Sequence, residues 1–345
     1  MIEIDGNQTP QISVVLPFHI RNSFLMDAIA SVQSHSGPDV EIVCVADGLP
    51  SSEIKSLRLF FLPDSRVQIL QNDGKGLVDA LNTGIKASRA PLIARMDSDD
   101  LFMPNRLEIQ KKYLDSHPRI SAVGGQLIYI CKHSVTLGRS RYPSRYQIVF
   151  GLKPILPHIA HPAAMFRKSL WESIGGYRAD FPHVEDLDFW NRALKIGPIH
   201  NLNKDLIKYR LHPGQISTTQ AKVQRFQAMR ADLYDLLGHV PALVDEGESL
   251  LCSHKEILRS NQHLVANQRR ALRHVLGFFV TRESLAEIGL NGGLFRGSNQ
   301  SKRQLFDAIL TFPIQAAFLA ASTVRDYFGQ ARVNWSVCPT CSSER

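Results

Sequence analysis

A chain of 345 residues, 44% of them hydrophobic, is long enough for two domains or for one domain with a long appendage. Its formal net charge of +8 favours anionic partners such as nucleoside diphosphates, lipid phosphates or an anionic membrane face. The Lys and Arg residues are scattered, with no dense block interleaved with aromatics, which argues against nucleic acid. Five irregularly spaced cysteines do not make a disulfide framework and indicate a reducing compartment.

The first hundred residues alternate strand and helix. Ile12–Leu16 reads as a short β-branched strand ended by Pro17, and Phe24–Val32 has helical apolar spacing. Val40–Ala46 is a second strand, 51–62 a helix, Val67–Leu70 a third strand and Gly76–Ala87 a helix. Leu92–Met96 is the fourth strand. This alternation implies βαβ units and a mainly parallel sheet, with Asp47, Asn72 and Asp97 all at the same edge. Asn105–Ser116 follows as a helix starting near Pro104. Ile120–Tyr129 reads as one or two strands, and 133–160 as a basic loop region. Ala163–Arg167 is a strand, Glu185–Lys195 a helix and Leu206–Leu211 a strand. From about residue 220 the pattern turns helical, giving two regions, 1–220 and 221–345.

The densest chemistry lies in Leu92–Asp100. An apolar strand delivers Asp97 and Asp99 together at its carboxyl end, where α/β sheets bind ligands. Two carboxylates so placed form an oxygen site for a hard cation, Mn²⁺ or Mg²⁺, with room for phosphate oxygens. The plainer reading is a solvated turn in which Asp99 or Asp100 caps the next helix. Asp47-Gly48 and Asn72-Asp73-Gly74-Lys75-Gly76 each follow a strand and taken singly are ordinary turns. Glu185-Asp186 opens a helix, where the dipole favours negative charge; Asp186 is also a natural cap. Tyr209-Arg-Leu-His212 sets one imidazole after a short strand. Cys338-Pro-Thr-Cys341 has the spacing of half a zinc knuckle, with no second Cys/His pair near it in sequence.

In this order and spacing these segments resemble the inverting family 2 glycosyltransferases of the GT-A fold. The resemblance runs from Ile12 to Ser217. Val45-Ala-Asp-Gly-Leu resembles the family's Val-Asp-Asp-Gly-Ser element. Asn72–Asp100 is similar to its Asn-x-Gly, Leu-Asn-x-Gly-Ile and Asp-x-Asp-Asp blocks. His161-Pro-Ala-Ala-Met-Phe-Arg-Lys and Gly175-Gly-Tyr-Arg resemble its acceptor-side segment, Glu185-Asp186 its catalytic pair, and Tyr209–Ser217 its closing strand and loop. Members that build exopolysaccharide, capsule or lipopolysaccharide are the most similar in flavour.

The resemblance implies an α/β GT-A domain over 1–220 with a helical C-terminal region over 221–345. It implies a non-processive transferase moving a sugar from a nucleotide-sugar donor, a UDP-sugar, to a hydroxyl of a glycan or lipid-linked acceptor. Asp186 would be the general base. Pro17, His19, Asp47, Asn72, Asp97 and Glu185 would contact substrate, and Asp97, Asp99 and His212 would hold the divalent cation. Two departures stand out: His19 occupies the place of a base-stacking Tyr, and Ala46 replaces the first Asp of Val-Asp-Asp-Gly. The alternative is a degenerate transferase serving as a nucleotide- or glycan-binding scaffold. A pyrophosphorylase is disfavoured, because Pro17-Phe-His-Ile-Arg-Asn is not a Gly-rich phosphate loop.

No signal peptide is evident at the N-terminus, and the most apolar stretch, Ala308–Ala321, is too short to span a bilayer. A cytoplasmic protein is expected. The apolar run from Leu305 to Leu319, flanked by Lys302, Arg303 and Arg325, packs on the body or rests on the cytoplasmic membrane face. Pro313 counts against one straight interfacial helix.

Overall fold

The computed structural model describes residues 9–37, 39–142, 144–146, 159–212, 215, 221–237 and 337–338. Four strands open the fold: β1 (Ile12–Phe18), β2 (Val40–Ala46), β3 (Val67–Gln71) and β4 (Leu92–Arg95), with helices α1 (Ser23–Ser34), α2 (Ser51–Phe61) and α3 (Leu77–Ala87) between them. β5 (Leu101–Phe102), α4 (Arg106–Ser116), β6 (Ala122–Cys131), β7 (Thr136–Arg139) and β8 (Arg145–Tyr146) follow. After a 3₁₀ turn at His161–Ala163 come β9 (Met165–Arg167), α5 (Lys168–Ile174), α6 (Glu185–Ile196), β10 (Ile199–Leu211) and α7 (Ala221–Leu237).

The strands form one sheet in the order β3-β2-β1-β4-β9-β6-β10-β5, with β7 on β6 and β8 on β10. The first four strands pair in parallel, as their helical crossovers require. β9 is antiparallel to both β4 and β6, and so joins this half to the parallel pair β6–β10. Two apolar layers cover the sheet. One gathers Val14, Leu16, Ile42, Leu25, Ile29 and Leu57 beneath α1 and α2. The other gathers Val15, Ile93, Leu81, Phe166, Phe189 and Trp190 beneath α3 and α6.

β1 does not stop at Pro17 but runs to Phe18. Its pairing with β4 ends at Val15, whereas pairing with β2 continues through Phe18. The carbonyl of Val15 points to β4 and that of Phe18 to β2, so by alternation the missing N–H of Pro17 falls on the side where β4 has ended. β10 is longer than the sequence suggests, beginning at Ile199, because its polar first half pairs with β6 and β8. α7 packs on the start of α6 through Phe181, Val184, Leu187 and Ala231, with Asn191 donating to Asp232 at 3.0 Å and Lys195 paired with Asp235. No helix of the described residues is long and apolar enough to cross a membrane. The apolar run from Leu305 to Leu319 lies outside the described residues, as does most of 221–345.

Gly84 sets the approach of α3 to the sheet. A Cβ built there would lie 2.6 Å from Val15 Cγ1 and 3.0 Å from Val45 Cγ2, both buried side chains. Overpacking a filled core costs about 1–3 kcal/mol. Gly84→Ala should lower the melting temperature accordingly, measured by calorimetry, whereas Lys86→Ala on the exposed side of the same helix should leave it nearly unchanged.

Candidate active site

The site assembles at the carboxyl ends of β2, β3 and β4, together with the start of α6 and the end of β10. Gly48, with φ +73°, turns the chain after β2, and Asp47 stands half-buried at that turn. Its carboxylate accepts from Asn72 Nδ2 at 2.8 Å and from the Gly76 N–H at 3.0 Å. Asn72 is buried, and its Oδ1 takes bonds from the Gly74 N–H and the Thr83 hydroxyl. The amide of Asn72 is therefore engaged within the loop, whereas the half-buried Asp47 keeps lone pairs beyond those used in these bonds. His19 is exposed beyond the end of β1, and Pro17 is buried within that strand.

The end of β4 carries the acidic cluster. One carboxylate oxygen each of Asp97, Asp99 and Asp100 lie within 4.8 Å of one another. Asp97 and Asp99 are half-buried, not open to solvent as a simple loop edge suggests. Asp97 forms an ion pair at 2.5 Å with Arg95 Nη1, a guanidinium that is itself buried. Asp99 pairs with His212 Nε2 at 2.9 Å. Asp100 is fully buried and caps no helix. Its Oδ1 accepts the backbone N–H of Arg210, while Oδ2 has no hydrogen-bond partner among the described residues. Burial raises the Asp97 carboxyl, against the opposing pull of Arg95. Burial, and then the charges of Asp99 and Asp97, holds Asp100 well above the ordinary carboxylate range.

Three converging carboxylates, one with an orphaned buried oxygen, form the donor set of a hard divalent cation. Asp97, Asp99 and Asp100 would hold it from the loop after β4, with His212 beside Asp99. The sequence offers Asp100 only as a helix cap and not as a cation ligand, and the run of four acidic or hydroxyl residues gives no sign that its side chain points inward.

Glu185 and Asp186 form the first turn of α6, whose N-cap is Val184. Asp186 therefore lies inside the helix, not at the cap, and its Oδ1 accepts the N–H of Leu187 at 2.8 Å. Burial raises its carboxyl, offset by that N–H and by the charge of Arg95. Glu185 is more enclosed. Burial, compounded by the charge of Asp186, pushes it up to about 7. Asp188 is buried and held by both Arg178 and Arg192, which leaves it no free role in the site.

Two groups absent from the sequence reading complete the floor. Arg95 lies under the cluster, and its charge acts on Asp97, Asp100, Glu185 and Asp186. His161 Nε2 bonds the Tyr177 hydroxyl at 2.8 Å, and burial, aided by Arg95, keeps that imidazole neutral. Arg95 stands inside an apolar strand pattern, where a long basic side chain reads as an outlier with no assigned direction. His161 and Tyr177 sat in segments singled out only by resemblance.

Residues 13–175 match the sequence profile of Glycosyl transferase family 2. The chain is 32% identical over 208 residues to the O-antigen biosynthesis glycosyltransferase WbnJ of Escherichia coli, covering 58% of this chain and 80% of that protein. It is also 32% identical over 174 residues to the amylovoran biosynthesis glycosyltransferase AmsE of Erwinia amylovora, covering 49% and 64%. Among solved structures, residues 1–349 of S. aureus TarS in complex with UDP-GlcNAc superpose with a TM-score of 0.53. The identity is 15%, and 90% of this chain and 92% of that one are covered, a likeness of fold. With the mixed, mainly parallel sheet and its flanking helices, these matches establish that the chain belongs to glycosyl transferase family 2 and is a glycosyltransferase of the GT-A fold.

Proposed function

We propose that this glycosyltransferase transfers a sugar, with inversion, from a UDP-sugar to a hydroxyl of a glycan or lipid-linked acceptor in the synthesis of a surface polysaccharide. The observation that carries the reading is the meeting of two acidic groups at one sheet edge. Asp97, Asp99 and Asp100 gather after β4, and Glu185 and Asp186 open α6, with Arg95 acting electrostatically on both. One group suits a cation and diphosphate, the other a proton acceptor. UDP is favoured because TarS has been solved with UDP-GlcNAc, and a polysaccharide product because WbnJ and AmsE carry those names.

The residues divide the work by their chemistry. Asp47 accepts from an N–H of the base, and Asn72 holds its carboxylate in place. His19, exposed past β1, offers an imidazole face for stacking. Asp97, Asp99 and Asp100, with His212 beside Asp99, would hold a divalent cation, which would supply Lewis-acid charge for departure of the diphosphate. Asp186 takes the proton of the acceptor hydroxyl as its oxygen attacks the anomeric carbon. The bond to the diphosphate breaks on the opposite face, so a single in-line displacement inverts the anomeric centre. Glu185 and Asp186 are both raised, chiefly by burial, and two adjacent buried carboxylates resist double ionisation, so the pair shares its negative charge. Catalysis on the cytoplasmic face of a membrane, with peripheral contact, fits a lipid-linked acceptor.

Replacing the metal-side carboxylate and the base should give different signatures. Asp99→Asn should remove Mn²⁺-dependent donor binding, read by calorimetric titration of UDP-sugars with and without Mn²⁺, while circular dichroism stays that of the wild type. Retention of cation-dependent binding in that variant would move the cation elsewhere.

Asp186→Asn should lower kcat by roughly 10²–10⁴-fold with donor affinity nearly unchanged. Release of nucleoside diphosphate in the presence of acceptor is the assay, and wild-type turnover in the variant would transfer the role to Glu185.

The pH profile carries a sign. Asp186 acts as a carboxylate and its pKa is raised, so kcat should rise with pH along an acid limb lying above the ordinary carboxylate range. A profile at saturating donor that is flat down to the usual Asp pKa would exclude this environment for the base.

A further inference from the structure

At the amino ends of β6 and β10 the fold leaves a cleft of about 410 Å³, within the size range of small-ligand sites. It opens between the end of α4, the start of α5 and the end of α6. Ile199 starts β10 beside this cleft and Leu211 ends it next to His212, so the cleft and the acidic cluster lie at opposite ends of one strand. The transfer reaction makes no use of it.

Its charge is one-sided. Arg119 and Arg167 line it, and no Asp or Glu is among the described residues that do. Arg167 is half-buried at the end of β9, and its Nη2 donates to the Leu114 carbonyl at 2.9 Å, which fixes the guanidinium. That bond uses one of its five N–H groups, and the side chain has no carboxylate partner among the described residues. Arg119 is exposed, with neither a hydrogen bond nor an ion pair to its side chain among them. Arg66, Arg95, Arg178 and Arg192, by contrast, each meet a carboxylate. Two unneutralised cations facing one space repel, and an anion between them relieves the repulsion.

The rest of the lining adds hydroxyls and hydrocarbon. Ser121 is nearly buried, its N–H held by the Pro198 carbonyl at 2.9 Å. A Cβ at Gly197 would stand 2.5 Å from Ser121 Oγ, so glycine there leaves the hydroxyl uncovered. Leu170, buried, and Ile196, 59% exposed, supply aliphatic surface. Forked guanidinium donors match phosphate oxygens, and a phosphate has enough acceptors to meet both arginines and a hydroxyl at once.

We propose that this cleft is a second ligand site, which binds a phosphate monoester through Arg119, Arg167 and Ser121, with the ester's carbon chain against Leu170 and Ile196. Soluble glycerol phosphate and the headgroup of phosphatidic acid present this same chemistry.

The test titrates the full chain with glycerol phosphate by calorimetry and floats it with phosphatidylcholine vesicles carrying phosphatidic acid. Both measurements are made in EDTA, which removes cation-assisted phosphate binding at the aspartates. Saturable binding of glycerol phosphate without flotation identifies a soluble ester, and flotation that glycerol phosphate reverses identifies the lipid headgroup. Arg119→Glu, a charge reversal at an exposed position, should weaken binding at least about tenfold. Ser169→Trp, which fills the cleft from another exposed position, should block it, while Asp99→Asn should bind as the wild type does. A wild type that binds neither probe would overturn the proposal, whatever the variants do. Undiminished binding in Arg119→Glu or Ser169→Trp, binding lost with Asp99→Asn, or flotation that glycerol phosphate leaves unchanged would do the same.

Discussion

One buried cation governs the arrangement of this molecule. Arg95 is nearly inaccessible, yet its guanidinium acts on four carboxylates at the mouth of the sheet. A buried charge is costly unless paired, and Asp97 is its direct partner. One guanidinium does not neutralise the set. Asp97, Asp100, Glu185 and Asp186 are all raised, each chiefly by burial, and repulsion from a neighbouring carboxylate adds to this at every one of them. A site with more negative charge than its own cations offset is one that a bound divalent ion would relax.

The scaffold around Arg95 is correspondingly stiff. Arg106 is fully buried and donates to the carbonyls of Arg95 at 2.8 Å and Ala164 at 3.2 Å, across the antiparallel β4–β9 seam. Gln110 extends the network to Val123 and Ala163. On the other side, the Arg210 side chain donates to the Asp99 carbonyl at 2.8 Å and to the Lys132 carbonyl at 3.1 Å, and lies over the Phe24 ring. Its backbone N–H reaches Asp100, and its carbonyl accepts from Gln215, whose Oε1 takes the His212 N–H. The acidic loop and His212 are thus fixed to one another through Arg210, and neither is free to drift when charge changes nearby.

Much of this was legible in the chain. Strands β1 to β4 announce themselves as apolar β-branched runs, and their alternation with helices dictates a parallel sheet, so Asp47, Asn72 and Asp97 follow at one edge. What local pattern missed was set by distant partners. Arg95 and Arg106 look like ordinary basic residues until the fold closes over them. Asp100 is indistinguishable in sequence from its neighbours, yet the Arg210 N–H draws it inward. The polar first half of β10 has no strand periodicity and exists because β6 and β8 pair with it. Cys338 Sγ lies 3.5 Å from Cys131 Sγ, a contact across 207 positions that no window of sequence reveals.

The final constraint links the two halves of the reaction. Asn82, on the helix that follows the Asn72–Gly76 loop, donates to the Tyr177 carbonyl at 2.9 Å and accepts from the Tyr177 N–H and from Trp171 Nε1, both at 3.0 Å. Gly176, at φ +75°, permits this approach, since a Cβ there would come within 2.9 Å of Asn82 Oδ1. The Tyr177 ring then stacks on Phe189 of α6 at 4.3 Å. One amide side chain therefore ties the helix beneath the nucleotide-side loop to the segment that aims Glu185 and Asp186. The in-line displacement proposed here would require a base and a leaving group to keep fixed positions on opposite faces of one carbon. With the acids of α6 and those after β4 lying more than eighty positions apart in the chain, that alignment rests on cross-links such as Asn82 and not on sequence proximity.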